Sequence, residues 1–352
     1  MKALALYGPG DLRLEERPVP HPGPNQLVVK IDCVGICGTD VEFYAGHYPP
    51  FIQLPMVLGH ENAGTVVEVG EGVTDFVVGD KLLCGPPSAC EAMCPSCKEG
   101  KTNICINGFP NTAGIGGPDG GYCEYFLIKD VAHTMLIKIP EGVDPKDAVL
   151  FDVICVALHG IRISNFKLGD DVVVSGTGSV GLSAIQFLKA AGARTVIALG
   201  TSDEKEPLIK EYGADYFINS KTCPDVGAEV KKILGKTVGA DVVFECAGNP
   251  ASWNTCVSCV KPGGQIMCIG TINEPLTIVP GNFSIFEPDF KYSFVYTEEE
   301  VKIYLDMLAA GKVKFPGMVT GVVSLDEAVE KYIGCEPAGR KGQLKVLIDP
   351  SL

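Results

Sequence analysis

The sequence predicts an α/β protein in which a doubly wound parallel sheet accompanies a second, mainly β domain. Three observations carry this prediction. Short β-rich runs broken by Gly and Pro fill the first part of the chain, and strands alternate with helices from about residue 154. A glycine-rich loop joins the first of these later strands to its helix, as in parallel βα units. The chain of 352 residues is long enough for two domains.

Composition excludes several classes of protein. The net charge of −14 would repel phosphate backbones, so we expect no nucleic-acid partner. No apolar run reaches the roughly 18 residues of a membrane span, so we expect no membrane partner. The apolar run at the N-terminus is too short for a signal-peptide core, which predicts a cytoplasmic protein. The 15 cysteines then favour thiolate or metal chemistry over a disulfide framework.

The first domain is predicted to span residues 1–153 and to be irregular and mostly antiparallel. Residues 27–31 and 64–69 are rich in β-branched residues and read as strands. The turn-rich stretch 35–38 follows the first of them.

The second domain is predicted over 154–292, and the remaining residues, 293–352, are predicted to return to the first domain. Apolar strands followed by helix-favouring runs are typical of a parallel, doubly wound sheet. The expected elements are strands at 171–175, 195–199, 241–245 and 264–269, helices at 180–191 and 205–212, a helix at 298–309, and a last strand at 344–348.

The glycine loop 176–181 has the spacing Gly-x-Gly-x-x-Gly between a predicted strand and a predicted helix. Such glycines permit a tight turn and let a pyrophosphate approach the backbone at a helix N-terminus. The second strand ends without the carboxylate that usually holds the ribose of NAD, since the first acid is Asp203. Small residues there, with Lys205 nearby, favour NADP, whereas an inward Asp203 would favour NAD.

Four cysteines lie within sixteen residues, in the order C-x3-C-x2-C-x7-C. Four thiolates can close a tetrahedral shell around one structural zinc ion, which has no open position. The alternative, four unpaired thiols in a Gly/Pro/Lys-containing loop, would leave them open to oxidation. The predicted ligands are Cys90, Cys94, Cys97 and Cys105.

A second group of candidate ligands is spread more widely. Cys37 lies in a turn, His60 and Glu61 are adjacent, and Asp152 stands among apolar residues, where an acid needs a partner. Spacing this wide does not define a site. His60 also fits a hydrogen-bonded structural histidine, and Asp152 a helix cap.

The motifs at 35–40, 59–61 and 172–181, with the four-cysteine lobe, make the chain resemble the zinc-dependent medium-chain alcohol and polyol dehydrogenases over nearly its whole length. The resemblance implies a Rossmann domain and a GroES-like catalytic domain. It implies that Cys37 and His60 bind a catalytic zinc ion. Asp152 matches the third ligand of bacterial secondary-alcohol dehydrogenases, where sorbitol and threonine dehydrogenases have Glu. Glu61 matches a carboxylate that can join or leave the metal.

The resemblance also implies that Thr39 takes the substrate proton, although an ordinary turn threonine is the alternative. The family often has a relay histidine where this chain has Glu42, and His47 is a second candidate for the outer relay. An extra residue stands between the first two lobe cysteines, and Ser202 replaces an arginine of NADP-dependent relatives. The expected coenzyme contacts are Gly176, Gly178, Ser179, Val180, Gly181, Gly200, Thr201, Ser202, Lys205, Cys246, Ala247, Ile269 and Gly270.

We therefore predict a dehydrogenase that interconverts a small secondary alcohol or polyol and its ketone by hydride transfer. Its expected cofactors are one catalytic and one structural Zn²⁺ per chain and NAD(P), with NADP favoured. A homodimer or homotetramer is expected, with residues 277–279 as a candidate edge strand. The open alternatives are a sorbitol- or threonine-type dehydrogenase, a non-catalytic NADPH-binding protein on the same fold, and a zinc hydrolase, which would leave the glycine loop unexplained.

Overall fold

The structure is a computed structural model that describes residues 1–86, 89–90, 94–340 and 342–352. The chain forms two compact units. Unit 1 comprises Met1–Asp152, Thr297–Ala310 and Pro316–Leu352, and unit 2 comprises Val153–Tyr296 and Gly311–Phe315. The returning segment thus begins a few residues later than the predicted 293, because Ser293 N–H still donates to the Cys268 carbonyl of unit 2 at 2.8 Å. Phe315 belongs to unit 2 because it packs on Phe187 and Tyr212.

Unit 1 contains two sheets, as expected for a mainly β domain. A three-stranded antiparallel sheet has the order Asp11–Glu16, Lys2–Gly8, Met56–Val57. In the seven-stranded sheet the described pairings are antiparallel, except that the last two strands of the chain run parallel. Its order is Val319–Val323, Lys345–Ile348, Leu27–Gly35, Glu61–Val69, Lys81–Gly85, Met135–Lys138, and Tyr125–Ile128 also pairs with Leu27–Gly35.

Strand register in this sheet brings distant residues to one end of it. Gly35 lies opposite Glu61 on one side and opposite Leu347 on the other. The next residue, Ile36, donates its N–H to the Val346 carbonyl at 2.9 Å. The chain from Gly35 onward is therefore flanked by Glu61 and by the C-terminal strand that carries Lys345.

The helical segments of unit 1 are short except for one. The helix Glu298–Ala309 is closed at its start by reciprocal hydrogen bonds between Thr297 and Glu300, and it coincides with the predicted 298–309. The others are Gly38–Tyr44, Pro95–Lys98, Pro145–Ala148, the 3₁₀ turns Thr102–Ile104, Phe109–Asn111 and Pro337–Arg340, and the π-helical turn Val329–Ile333.

Unit 2 is built on a six-stranded sheet whose described pairings are all parallel, which confirms the predicted doubly wound architecture. Its central strand is buried along its whole length, as the unbroken run of valines predicts. The strand order is Tyr216–Asn219, Thr195–Gly200, Asp171–Ser175, Ala240–Glu245, Val260–Cys268, Asp289–Tyr292. The helical segments are Phe151–Ile163, which begins at the end of unit 1, Ser179–Ala190, Glu206–Glu211, Val226–Leu234, Pro250–Cys259, and the 3₁₀ turns Asp203–Lys205 and Pro280–Asn282.

Several predicted details of unit 2 differ from the structure. The strand expected at 264–269 is Val260–Cys268, and the helix expected at 180–191 is Ser179–Ala190. Residues 277–279 are not a strand, and the strand at this edge of the sheet is Asp289–Tyr292. The predicted helix from 205 begins at Glu206, because the preceding residues Asp203–Lys205 form a 3₁₀ turn. Among the described residues, the helices are too short or too polar to cross a membrane.

Candidate active site

Four candidate ligands from three parts of the sequence meet in unit 1. One ligand atom from each of Cys37, His60, Glu61 and Asp152 lies within 4.8 Å of the others. Cys37 caps the helix Gly38–Tyr44, and Asp152 is in the first turn of Phe151–Ile163. Glu61 begins the strand Glu61–Val69, and His60 directly precedes it. Sulfur, imidazole and carboxylate donors at this separation suit a zinc ion with bonds of about 2.0–2.3 Å.

Asp40 organises two of these ligands, a role that the sequence analysis did not assign. Its Oδ2 accepts hydrogen bonds of 2.8 Å from the Cys37 N–H and from the buried Tyr122 hydroxyl. Its Oδ1 faces His60 Nδ1 at 3.7 Å, which is too long for a hydrogen bond. Carboxylates beside the outer nitrogen commonly orient metal-binding histidines. An acid three residues beyond Cys37, in helix-capping position, was the available sequence signal.

Lys345 is the second residue that sequence reasoning missed. Its Nζ donates to Glu61 Oε1 at 2.6 Å and to the Ile36 carbonyl at 3.2 Å, and it lies 2.5 Å from Glu61 Oε2. Burial would lower the pKa of Lys345, but the negative charges of Glu61, Cys37 and Asp152 outweigh it and raise that pKa. The Lys345 amino group is thus paired with a buried carboxylate. A lysine at the start of an otherwise apolar terminal strand was the overlooked signal.

A glycine makes room for the Glu61 carboxylate. A Cβ atom at position 35 would lie 1.8 Å from Glu61 Oε2, so this contact requires Gly35. Oε2 is buried and has no hydrogen-bond donor of its own in the described part of the chain, despite its nearness to Lys345. Such an atom is suited to a metal ion.

The electrostatics of the cluster also fit a cation. Desolvation raises the pKa of the Cys37 thiol, and the neighbouring Asp152 raises it further. Burial raises the pKa of Glu61, while Lys345 opposes this effect. A bound divalent ion reverses this balance and favours the thiolate. The Thr39 hydroxyl lies 3.6 Å from Cys37 Sγ, so it borders the candidate metal position.

The predicted outer relay residues lie at the surface. His47 Nδ1 and a Glu42 carboxylate oxygen are 2.8 Å apart, and both side chains are exposed. The two candidates therefore form one pair.

The four lobe cysteines also converge. Cys90 Sγ lies 3.8 Å from Cys97 Sγ, and Cys94 Sγ lies 3.7 Å from Cys105 Sγ. Four sulfurs at about 2.3 Å from a tetrahedral zinc ion are about 3.8 Å apart, whereas disulfide sulfurs are about 2.05 Å apart. A hydrogen bond from the Cys94 amide lowers the pKa of the Cys90 thiol, which favours its thiolate. The extra residue in the first gap is therefore compatible with convergence of all four.

In unit 2 the glycine loop follows the central strand directly. Gly176 has φ +109°, and a Cβ there would lie 2.8 Å from the Ala247 backbone nitrogen. Gly181 approaches the Gly176 carbonyl so closely that a Cβ would lie 1.9 Å from it. A Cβ at Gly178 would meet open space, at the N-terminus of a twelve-residue helix. Ser179 and Val180 begin that helix. These features suit a coenzyme phosphate.

Two further segments that are predicted to contact the coenzyme are hydrogen-bonded to the strand that ends at Glu245. Glu245 Oε1 accepts hydrogen bonds of 2.9 Å from the Ala247 and Gly248 amides, and Cys246 N–H donates to Ser175. The Glu245 carbonyl accepts from Ile269 at 2.8 Å and from Gly270 at 2.9 Å. Sheet order reverses between this strand and the strand before Gly176, which is where ligands bind in such sheets.

The end of the second strand lacks an inward carboxylate. Thr201 and Ser202 follow Gly200, and Lys205 N–H donates to the Ser202 carbonyl at 3.3 Å. Asp203 is exposed, and its Oδ1 accepts a 2.9 Å hydrogen bond from Asn219 Nδ2. Asn219 is itself fixed, because its Oδ1 accepts from the Lys221 N–H at 3.0 Å.

Comparison with known proteins identifies the family. Residues 23–141 match the family described as alcohol dehydrogenase GroES-like domain, and 179–310 match that of zinc-binding dehydrogenase. The chain is 32% identical over 355 aligned residues to sorbitol dehydrogenase of Gallus gallus, covering 99% of this chain and 97% of the relative. The chain belongs to the zinc-dependent medium-chain dehydrogenases.

Solved structures of other dehydrogenases share the fold. A zinc-binding dehydrogenase from Sinorhizobium meliloti, bound to NADP, is 32% identical with a TM-score of 0.89, covering 99% of both chains. The 2R,3R-butanediol dehydrogenase from Bacillus subtilis is 30% identical with a TM-score of 0.87, also covering 99% of both chains. The predicted family, fold class and enzyme class are thereby confirmed. This dehydrogenase is an oxidoreductase of the alcohol and polyol dehydrogenase type.

Proposed function

We propose that this dehydrogenase interconverts a secondary alcohol or polyol and its ketone, using a zinc ion held by Cys37, His60 and Asp152 and a nicotinamide coenzyme held along the loop 176–181. The convergence of four ligand side chains within 4.8 Å carries the proposal. A bound zinc ion would supply Lewis acidity that lowers the pKa of the substrate hydroxyl. The coenzyme would exchange hydride with the carbinol carbon.

The chain's own side chains transfer the proton of the substrate hydroxyl. During alcohol oxidation Thr39 Oγ1 accepts the proton of the substrate hydroxyl as it releases its own proton outward, and the reverse exchange protonates the carbonyl oxygen during reduction. Its position 3.6 Å from Cys37 Sγ supports this role. The exposed pair Glu42 and His47 accepts the proton at its outer end and passes it to water. The Asp40 carboxylate faces His60 Nδ1 at 3.7 Å, and its negative charge favours a proton on that nitrogen, which leaves Nε2 for the metal.

A second, structural zinc ion is proposed for Cys90, Cys94, Cys97 and Cys105. The sulfur separations of 3.7 and 3.8 Å support it. We expect two zinc ions per chain by metal analysis, and loss of one of them in either Cys37→Ser or Cys94→Ser. A protein that retains both ions in Cys37→Ser would contradict the assignment of the catalytic ligands.

NADP is the proposed coenzyme. Gly200, Thr201 and Ser202 leave room for a 2′-phosphate, and Lys205 offers a positive charge. The hydrogen bond between Asp203 and Asn219 supports this preference, because it engages the nearest carboxylate, which is exposed, with a side chain of the neighbouring strand. An Asp203 that faced the ribose would instead favour NAD.

The substrates named for two relatives support a proposed substrate class. Sorbitol and 2R,3R-butanediol both carry a secondary hydroxyl next to another hydroxylated carbon, so we propose a polyol or vicinal diol. A screen of coenzyme reduction with sorbitol, 2,3-butanediol, simple secondary alcohols and 3-hydroxy amino acids, each with NAD and NADP, tests this. Preferred oxidation of a diol with NADP is expected. Coenzyme binding without turnover of any alcohol or ketone would favour a non-catalytic NADPH-binding protein.

We propose a homodimer in the cytoplasm. The edge strand Asp289–Tyr292 lies among exposed apolar side chains, including Ile285, Phe286 and Phe294, and edge strands readily pair with a second copy. The absence of disulfides among the 15 cysteines suits a reducing compartment. Sedimentation of wild type and Ile285→Asp tests the interface, and a monomeric variant is expected.

A further inference from the structure

We infer that Glu245 is a specificity-determining residue whose buried negative charge shifts the coenzyme preference of the site toward the oxidised, positively charged nicotinamide. This inference rests on the proposed coenzyme site of unit 2. Glu245 ends the strand Ala240–Glu245, and neither the proposed metal site nor the proposed proton path uses it.

The Glu245 side chain is a buried acid without a cationic partner. It is 0% exposed, and its Oε1 accepts hydrogen bonds of 2.9 Å from the Ala247 and Gly248 amides. Two such donors favour the ionised form, because hydrogen bonds to a carboxylate stabilise its charge. Oε2 has no hydrogen-bond donor, and within the described residues no lysine, arginine or histidine forms an ion pair with Glu245. A buried charge of this kind is costly unless another group compensates it.

The neighbouring strand ends supply no positive charge. Ser175 and Cys268 pair with Glu245 in register, one on each side. The Ser175 hydroxyl is hydrogen-bonded to the Ser252 hydroxyl at 2.8 Å. Burial, and then the charge of Glu245, raise the pKa of the Cys268 thiol to about 11, so this thiol is neutral at pH 7. A compensating cation must therefore come from a bound molecule.

Sheet order indicates which half of a dinucleotide lies on the side of this charge. The central strand Asp171–Ser175 leads into the glycine loop, which suits the pyrophosphate. Its neighbour on one side is Thr195–Gly200, where the adenosine phosphate is proposed to bind, and its neighbour on the other side is Ala240–Glu245. Because dinucleotides bind across the crevice of such sheets, the nicotinamide half would extend toward Glu245.

The segment after the next strand supports this placement. Ile269 and Gly270 are predicted coenzyme contacts, and their amides donate to the Glu245 carbonyl at 2.8 and 2.9 Å. A Cβ atom at position 270 would lie 2.8 Å from Glu245 Oε2, so the oxygen without a donor is packed against this segment.

The charge of the nicotinamide ring depends on its oxidation state. The ring is positively charged when it is oxidised and neutral after it has accepted hydride. A carboxylate in a medium of low dielectric constant attracts the oxidised ring and has no such attraction for the reduced one. Its repulsion of the coenzyme phosphates is common to both forms, so the ratio of the two affinities isolates the effect on the ring. By stabilising the oxidised form, Glu245 favours the direction in which the coenzyme gives up hydride, which is carbonyl reduction.

The test measures dissociation constants for oxidised and reduced coenzyme, with NADP⁺ and NADPH and in parallel with NAD⁺ and NADH, by calorimetry. The proteins are wild type, Glu245→Gln, Glu245→Asp and Asp241→Asn. Glutamine keeps the length of the side chain and an oxygen that accepts from the two amides, but it removes the charge. Aspartate keeps the charge but shortens the side chain. Asp241 is the control, because it lies near the other end of the same strand and is paired with Lys261.

We expect the ratio of the dissociation constant for oxidised coenzyme to that for reduced coenzyme to rise by about fivefold or more in Glu245→Gln. The ratio should keep its wild-type value in Glu245→Asp and Asp241→Asn. A purely structural role would weaken the binding of both forms together and leave the ratio unchanged. Glu245→Ser, a smaller neutral variant that leaves room for water, gives the same comparison if glutamine is not accommodated beside Gly270.

Two results would overturn the inference and leave the proposed function intact. One is an unchanged ratio in the neutral variants, with coenzyme still bound. The other is a ratio that rises equally in Glu245→Asp or Asp241→Asn, because the effect would then not follow the charge at Glu245. Wild-type protein that binds neither NADP⁺, NADPH, NAD⁺ nor NADH would refute the proposed function together with the inference.

Discussion

Replacement of Asp40 by asparagine should weaken the catalytic site without touching a metal ligand. Asparagine has nearly the same shape and can still accept the hydrogen bond from the Cys37 amide, now 2.8 Å long. It removes the negative charge that faces His60 Nδ1 at 3.7 Å and that accepts from Tyr122 at 2.8 Å. Loss of such a partner typically costs 10–100-fold in metal affinity or activity.

The expected loss can be expressed as a free energy. A 10–100-fold decrease in zinc affinity corresponds to about 1.4–2.7 kcal/mol. Chelator competition measures the affinity of the catalytic ion, and turnover with the best alcohol gives kcat/KM. Tyr122→Phe removes one donor to Asp40 but keeps its charge, so it should lose less affinity than Asp40→Asn.

A control of the same residue type, more exposed than Asp40, is available in the same unit. Asp119 also accepts a backbone amide, that of Val57 at 2.8 Å, and contacts a side-chain donor, Arg17 at 3.0 Å, but it is outside the metal cluster. Asp119→Asn should leave zinc affinity unchanged. Equal affinity in Asp40→Asn and wild type would refute the assigned role of Asp40.

Four other substitutions give separate predictions. Thr39→Val should lower kcat by about 10²–10⁴-fold with zinc content unchanged, while Thr39→Ser retains activity; a fully active valine variant would exclude the proton role. Cys94→Ser should lose one zinc ion and lower the melting temperature, as calorimetry with metal analysis would show, and an unaltered melting curve would argue against a structural ion. Asn219→Ala removes the hydrogen bond to Asp203, so the ratio of NADPH affinity to NADH affinity in fluorescence titrations should fall by about 2–10-fold, which corresponds to the free energy of one hydrogen bond. A constant ratio would contradict the proposed role of this hydrogen bond in coenzyme preference. Burial alone would raise the pKa of Asp171, but hydrogen bonds from Arg194 and Lys236 lower that pKa well below its ordinary range. The ionised carboxylate therefore stabilises the fold above about pH 4, and this stabilisation is lost as the pH falls through the folded-state pKa. Because both cations are partly exposed, Asp171→Asn should reduce the free energy of unfolding by about 1–2 kcal/mol at pH 7 and by less at pH 3; denaturant titrations that show the same loss at both pH values would contradict this.

The strand-helix pattern of unit 2 could be predicted closely from the sequence. Its central strand 171–175 and the helix at 298–309 of unit 1 have the predicted bounds, because each combines a clear apolar pattern with a sharp start. The strand expected at 277–279 was wrong. Its short apolar run carries too little information about pairing partners, and the observed edge strand, Asp289–Tyr292, is more polar.

The candidate metal ligands were easier to predict from the sequence than the residues that contact and position them. The predicted residues Cys37, His60, Glu61 and Asp152 are of metal-binding types and lie in recognisable motifs, and the structure brings them together. Lys345 lies 284 positions from Glu61, and only the pairing of the last strand with Leu27–Gly35 makes them neighbours. Long-range register of this kind is set by the whole sheet and not by a local pattern.

Anomalous diffraction at the zinc absorption edge, recorded from crystals of the active enzyme, tests the central claim most directly. The proposed function predicts two peaks per chain, one among the four lobe cysteines and one bonded to Cys37, His60 and Asp152. An active crystal with no peak at Cys37 would show that alcohol oxidation proceeds without a metal at this cluster and would contradict the proposed mechanism.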